Sequence, residues 1–111
     1  MEDGSIQLSD VTEVISNYFV VGDSDSLIPA GDFKNLEGFR YYLTRKLAHL
    51  LDSKYDTLIS ILYRIDVNED KLNELFAGSN REYIPAALAD LIIERSFQKV
   101  RFRQKYKSGE L

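Results

Sequence analysis

The residues best suited to chemistry lie near the end of the chain, in a run of cationic and aromatic side chains. Residues 95–107 contain six Lys or Arg residues and no acid. Lysine and arginine bind phosphates, and an exposed aromatic ring can stack on an unpaired base. The candidate interaction surface consists of eight residues of this run: Arg95, Lys99, Arg101, Phe102, Arg103, Lys105, Tyr106 and Lys107.

Three interpretations of this run remain open. In the first, Phe102 and Tyr106 pack on the N-terminal helix, and the cationic side chains cover apolar surface while their charges stay in water. In the second, the run binds a protein partner or a nucleic acid. In the third, it pairs with the acidic N-terminal segment, because residues 1–33 carry seven acids and no Lys or Arg. Charge runs are usually solvated faces, which favours the first.

Metal and cofactor sites are not expected. The single histidine, His49, has no second histidine and no cysteine with which to bind zinc, and it is predicted to be partly buried or at a boundary. Asp23 and Asp25 begin a segment with the first two ligands of a calcium loop, and residues 66–70 resemble one faintly. Both lack the glycine and the final carboxylate that such a loop requires, so a solvated loop and a helix cap are predicted instead.

Catalytic motifs are equally sparse. Asp52 and Asp56 are one helical turn apart, yet acids at a helix start are explained by the helix dipole. The chain has no glycine-rich phosphate loop followed by Lys-Ser or Lys-Thr, and no Gly-x-Ser-x-Gly nucleophile elbow. The sequence therefore predicts a protein that is not an enzyme.

The length, charge and composition of the chain limit its number of domains and its location. The chain has 111 residues, a net charge of −4 and no cysteine, so it can form no disulfide. This length predicts a single domain over residues 1–111. The first residues lack the basic and apolar parts of a signal peptide, and no apolar run approaches the ~18–20 residues that span a bilayer. A cytoplasmic protein without a membrane partner is expected.

The N-terminal part of the chain is predicted to be less regular than the rest. Apolar residues from Leu8 to Phe19 recur at helical spacing, and Ser9 or Asp10 is the predicted cap of that helix. A short strand over residues 17–21 is the alternative, because Val20 and Val21 favour β-structure. Residues 22–32 are rich in Gly, Pro, Ser and Asp and are predicted to form a loop, and the whole acidic segment, residues 1–32, is a candidate mobile segment.

Residues 33–107 form the predicted helical body. Apolar stripes run through residues 36–51 and 58–65, and in the second stripe Ile59 is counted with the core. Asn68 is the predicted cap of a third helix, and Pro85 lies in the first turn of a last helix that runs to about Tyr106. The predicted fold is all-α, a small antiparallel bundle of four to five helices with a less regular N-terminal segment.

The predicted function follows from surplus apolar and aromatic positions. Tyr41 and Tyr42 are adjacent on a helix, so at least one is expected to be exposed or at an interface, near Arg40 and Arg45. The favoured hypothesis is a non-enzymatic helical interaction module that binds another protein or self-associates. The alternative is a nucleic-acid-associated protein that uses the basic residues 95–107.

Overall fold

The computed structural model describes residues 7–19, 35–78 and 80–107, and the side chains of residues 106 and 107 lie outside the described part. Over these ranges the chain forms helices and no strand. The α-helices are α1 (Leu8–Tyr18), α2 (Leu36–Ser53), α3 (Tyr55–Ile65), α4 (Glu69–Ala77) and α5 (Ile84–Lys107), and a 3₁₀ turn, Arg81–Tyr83, precedes α5. The predicted all-α bundle of four to five helices is confirmed.

α5 is the central helix of the bundle. It contacts each of the other four α-helices, and Leu88, Ala89 and Ile92 in its first half are fully buried. A helix segment that is apolar on nearly all sides needs neighbours on every side, which explains why this one lies in the middle. None of the described helices is both long enough and apolar enough to cross a membrane.

The buried core is formed mainly by α1, α2, α3 and α5. α4 has no fully buried residue and only packs Leu72, Leu75 and Phe76 partly against the rest. The core residues from the first three helices are Val11, Val14, Ile15, Phe39, Leu43, Leu47, Leu50, Leu58, Ile61, Leu62 and Ile65. They recur at steps of three and four, so each helix buries one face.

α4 runs antiparallel to α5. Lys71, in the first turn of α4, lies 3.8 Å from Glu94 between Nζ and Oε1, whereas the later Leu75 lines a cavity together with Ala87, which is closer to the start of α5. α4 is therefore a peripheral helix, held by a partly buried apolar edge and an exposed ion pair.

Polar side chains fix the start of α4. Asn68 accepts a hydrogen bond from the backbone N–H of Lys71 at 3.0 Å, as predicted for its N-cap. Asp66, which ends α3, has φ = 67°, the left-handed conformation that turns the chain toward α4. α5 begins at Ile84, which places Pro85 in its first turn as predicted.

The start of α1 differs from the prediction. The helix begins at Leu8 after Gln7, whose side chain makes no capping bond. The prediction that Ser9 or Asp10 caps this helix was wrong, because both lie within its first turn. The carbonyl of Ser9 instead accepts a hydrogen bond from the Thr12 hydroxyl at 3.1 Å.

The structure at the end of α1 tests the predicted alternative of a short strand over residues 17–21. Asn17 and Tyr18 are helical and Phe19 continues as a 3₁₀ residue, so a strand over residues 17–19 is wrong. Val20, Val21 and the predicted loop over residues 22–32 lie outside the described residues.

Candidate interaction surfaces

Three of the predicted basic residues face partners within the protein. Arg95 approaches Asp66, with Nη2 and Oδ2 3.4 Å apart, and donates a hydrogen bond from Nη1 to Gln98 at 3.0 Å. The ammonium of Lys99 lies 5.3 Å from the ring centroid of Tyr18, which is a cation–π contact with α1. Arg95 and Lys99 therefore contact other residues of the same protein.

Arg103, the third of these residues, is exposed and lies on the side of α5 that borders the acidic helix α1. It lines a cavity of about 310 Å³ together with Asp10, Glu13, Val100 and Gln104. Because Tyr18 lies beside Lys99 and Asp10 lies beside the later Arg103, α1 runs antiparallel to the second half of α5. In the described part of the chain, acids of the N-terminal segment therefore lie next to a basic residue of the C-terminal run.

Arg101, Phe102 and Lys105 are the members of the candidate surface that share an outward face. All three are exposed, and Phe102 keeps 61% of its surface accessible. Phe102 therefore does not pack on α1 as the first interpretation expects. The side chains of Tyr106 and Lys107 lie outside the described part. The six predicted residues whose side chains are described are thus spread around α5.

A second surface, which the sequence reasoning missed, runs along α3. Tyr55, Ile59 and Tyr63 are spaced four residues apart, so they form a ridge that covers about 80° of arc and roughly 12 Å of length. All three are exposed: Ile59 at 39% and Tyr63 at 83%. We call these residues the α3 ridge. The prediction that Ile59 belongs to the core was wrong.

The position of Ile59 explains its exposure. The buried stripe of α3 comprises Leu58, Ile61, Leu62 and Ile65. Ile59 follows Leu58 by one residue and is turned away from it by about 100°. The signal that could have revealed the ridge is the repeat of large apolar side chains at positions 55, 59 and 63, beside the core stripe rather than within it.

The α3 ridge is bordered by an aromatic residue of α4 at one end and by two charged residues along one side. At one end the Tyr55 ring meets Phe76 of α4 edge-on, with centroids 6.4 Å apart and planes at 80°. This contact leaves Tyr55 48% exposed. Along one side lie Asp56 and Arg64, both exposed and without an ion-pair partner in the described part of the chain. The ridge is therefore apolar, with one charge of each sign at its edge.

A third surface lies on the outward face of α2. Arg45 sits over the Tyr41 ring at 5.8 Å and donates a hydrogen bond to its hydroxyl at 3.3 Å. Tyr41 is exposed, as predicted for at least one residue of the tyrosine pair. His49 is also exposed, so its predicted place in a partly buried or boundary position was wrong.

Arg40, on the same helix, is held in an ion pair. Its Nε lies 2.6 Å from Oδ1 of Asp90 and its Nη2 lies 3.0 Å from Oδ2. The hydrogen bonds that Arg40 donates to Asp90 and the charge of that carboxylate raise the pKa of Arg40 above its ordinary value. Arginine is charged at physiological pH in any case, so this pair joins α2 to α5 and provides no titrating group.

The predicted helix-cap cluster lies at the α3–α4 turn. Asp66, Asn68 and Glu69 line a cavity of about 350 Å³ together with residues that include Lys71, Glu94 and Arg95. Acids and bases face each other across it, so its walls carry no strong excess of charge. No group of three metal-binding side chains occurs among the described residues. Asp23 and Asp25 lie outside them.

Asp52 and Asp56, the paired carboxylates considered for acid–base chemistry, are both exposed. An enzyme that separates the roles of two carboxylates normally does so by burial and proximity.

Similarity to known proteins gives no functional assignment: no protein-family model matches the chain, and no characterised protein or solved structure is significantly similar to it.

Proposed function

We propose that this protein is a non-enzymatic helical interaction module that binds protein through the α3 ridge, Tyr55, Ile59 and Tyr63. The observation that carries the proposal is the exposure of Tyr63, which keeps 83% of its surface accessible on a helix whose adjacent stripe is buried in the core. Tyrosine is enriched among the residues that contribute most to binding at protein interfaces.

The arrangement of the ridge supports a helix as the structure that it contacts. A row of side chains at positions i, i+4 and i+8 is the ridge that packs into grooves of a second helix in the commonest class of helix packing. Single exposed apolar residues are ordinary, but three in a continuous row form a strip that water covers at a cost in free energy. Partner contact removes that cost.

The size of the α3 ridge predicts modest affinity. A large side chain buries ~150–250 Å² when it is fully covered, and because Tyr55, Ile59 and Tyr63 are only 48%, 39% and 83% exposed, together they offer roughly 400 Å² at most. A standard interface buries about 800 Å² per partner. The ridge therefore suits a reversible contact, or the centre of a larger interface that includes its charged edge.

The remaining parts of the proposal rest on the sequence. The non-enzymatic assignment is supported by the lack of a nucleophile elbow, a phosphate loop or a cysteine in the chain. A cytoplasmic location is supported by the same absence of cysteine, which fits a reducing compartment.

Site-specific photocrosslinking in cells tests this function. We would place p-benzoylphenylalanine at position 63 or at position 83, since Tyr63 and Tyr83 are both exposed tyrosines and Tyr83 lies outside the ridge. We expect a defined protein adduct from position 63 that is absent from position 83 and lost with Ile59→Glu. Equal adducts from both positions, or an adduct that Ile59→Glu does not affect, would overturn the proposal.

A second candidate function is nucleic-acid binding at the outward face of α5. The observation in its favour is the exposed Phe102 between the exposed Arg101 and Lys105. Single-stranded nucleic acid is bound by aromatic rings that stack on bases and cations that contact phosphates.

Fluorescence anisotropy of labelled oligonucleotides tests this second function. At ~50 mM salt we would expect binding that weakens at ~200 mM and is reduced by Arg101→Ala and Phe102→Ala. Arg103→Ala is the matched control, because Arg103 faces α1 instead. No binding at low salt, or equal losses from Arg101→Ala and Arg103→Ala, would exclude this face as the binding site.

A further inference from the structure

The side chains of the α3 ridge are arranged symmetrically about its central residue, Ile59. Tyr55 and Tyr63 lie four residues on either side of Ile59, so a half turn about Ile59 exchanges the two tyrosines. A two-fold interface is built from one patch that contacts itself, with residue i of one copy against residue j of the other and the reverse. The ridge meets this requirement without a second surface.

We propose that the partner of the α3 ridge is a second copy of this chain, paired antiparallel through α3 with Ile59 at the two-fold axis. This inference rests on the proposed function, because it names the partner of that same surface. In this pairing Ile59 packs on Ile59 of the second copy, and Tyr55 of each copy packs beside Tyr63 of the other. Rows of this spacing interdigitate when two helices cross at about −50°.

The charges beside the ridge select the antiparallel direction. Asp56 and Arg64 lie on the same flank, about 60° and 140° around the helix from Ile59. Asp56 precedes Ile59 by about 4.5 Å along the axis and Arg64 follows it by about 7.5 Å. An antiparallel pair therefore brings Asp56 of one copy near Arg64 of the other. A parallel two-fold pair would place the two flanks on opposite sides of the helix pair, so Asp56 and Arg64 of different copies would not meet.

The other exposed aromatic surfaces are less suited to self-pairing. Tyr41 on α2 carries Arg45 over its ring, and Phe102 on α5 lies between Arg101 and Lys105. Two copies that met through Phe102 would place cations against cations, which costs free energy at an interface. On α2 the residues four positions before and after Tyr41 are Glu37 and Arg45, so that face offers a single exposed ring and no apolar row. The α3 ridge has one charge of each sign, and these complement each other in the two-fold arrangement.

The area of the ridge sets the expected strength of the dimer. Because it supplies roughly half of a standard interface, we expect a dissociation constant of about 10 μM to 1 mM. The chain should therefore be a monomer in dilute solution and a dimer at high concentration.

Sedimentation equilibrium of charge-reversed variants tests this pairing. We expect Asp56→Arg and Arg64→Asp each to weaken the dimer roughly tenfold, because each creates two like-charge contacts. An equimolar mixture of the two single variants should form a heterodimer about as stable as the wild-type dimer, since every flank contact is then between opposite charges. Circular dichroism of each variant shows whether the fold is kept.

A cysteine at the axis provides a second measurement. The chain has no cysteine, so Ile59→Cys introduces the only one. We expect rapid disulfide-linked dimer under mild oxidation, and slow linkage for the control Tyr83→Cys. A wild-type chain that is monomeric at 1 mM, or single variants that do not recover on mixing, would overturn the self-pairing. If the Tyr63 crosslink to another protein persisted in that case, the interaction role would survive; if it were absent too, both would fail.

Discussion

Tyr63 lies two helical turns beyond Tyr55 on the same outward face of α3, and the exposed fraction rises from 48% at Tyr55 to 83% at Tyr63. Tyr55 is partly covered because its ring contacts Phe76, whereas Tyr63 lies beyond the reach of that contact. The α3 ridge is thus attached to the bundle at one end and open at the other. A partner therefore gains most contact at Tyr63.

The ridge should contribute little to folding. We expect Tyr63→Ser to change the free energy of unfolding by less than about 0.5 kcal/mol, because an exposed side chain loses few contacts. Leu58→Ala, on the buried face of the same helix, should cost about 2–5 kcal/mol. Urea denaturation at low protein concentration measures both. A large loss for Tyr63→Ser would mean that the residue is structural.

The contact between Lys99 and Tyr18 should help to hold α1 on the bundle. We expect Lys99→Ala to lower the free energy of unfolding by about 0.5–1 kcal/mol, as is usual for a cation–π contact near the surface. Amide hydrogen exchange should quicken in α1 more than in α3. Arg101→Ala is the control, because Arg101 faces outward on the same helix. Equal effects of the two substitutions would argue against this contact.

Two buried hydroxyls should reduce stability. Ser16 and Ser96 are buried, and neither hydroxyl has a hydrogen-bond partner in the described part of the protein. We expect Ser96→Ala to raise the free energy of unfolding by up to about 1 kcal/mol, because it removes a polar group that gained no bond on burial. Thermal and urea unfolding measure the change. A loss of stability would show that the hydroxyl is bonded, for example to an ordered water.

The turn between α3 and α4 should depend on the residue at position 66. The backbone of Asp66 adopts the left-handed conformation, which asparagine tolerates and β-branched residues do not. We expect Asp66→Val to cost about 1–2 kcal/mol and Asp66→Asn to cost less, even though both remove the exposed ion pair with Arg95. Urea denaturation compares the two variants. Equal losses would assign the effect to the ion pair and not to the backbone.

Much of the fold could be predicted from local patterns. The asparagine that caps α4, the proline in the first turn of α5 and the apolar first half of α5 each act through nearby residues, and each lies where the sequence indicated. Local spacing could not decide which of two adjacent apolar stripes on α3 is buried, because that choice depends on where the neighbouring helices pack. This is why Ile59 was misassigned.

The candidate surface was harder to predict for the same reason. A run of six cations in sequence is distributed around a helix, since each successive residue turns by about 100°. The surroundings of each cation depend on the docking of α1, whose acids line a cavity with the exposed Arg103 and whose Tyr18 contacts Lys99. Exposure of Phe102 likewise depends on where α1 packs against α5.

The central claim is that the α3 ridge binds the same ridge of a second copy of the chain, and amide chemical shifts measured over a dilution series test it most directly. Spectra of the ¹⁵N-labelled wild-type chain would be compared from about 50 μM to 2 mM, the range in which the expected dimer forms. We predict concentration-dependent shifts confined to residues 55–64 and the adjoining Phe76, with none at Tyr83 or Phe102. Shifts centred on α2 or α5, or spectra that do not change with concentration, would contradict self-association through this ridge.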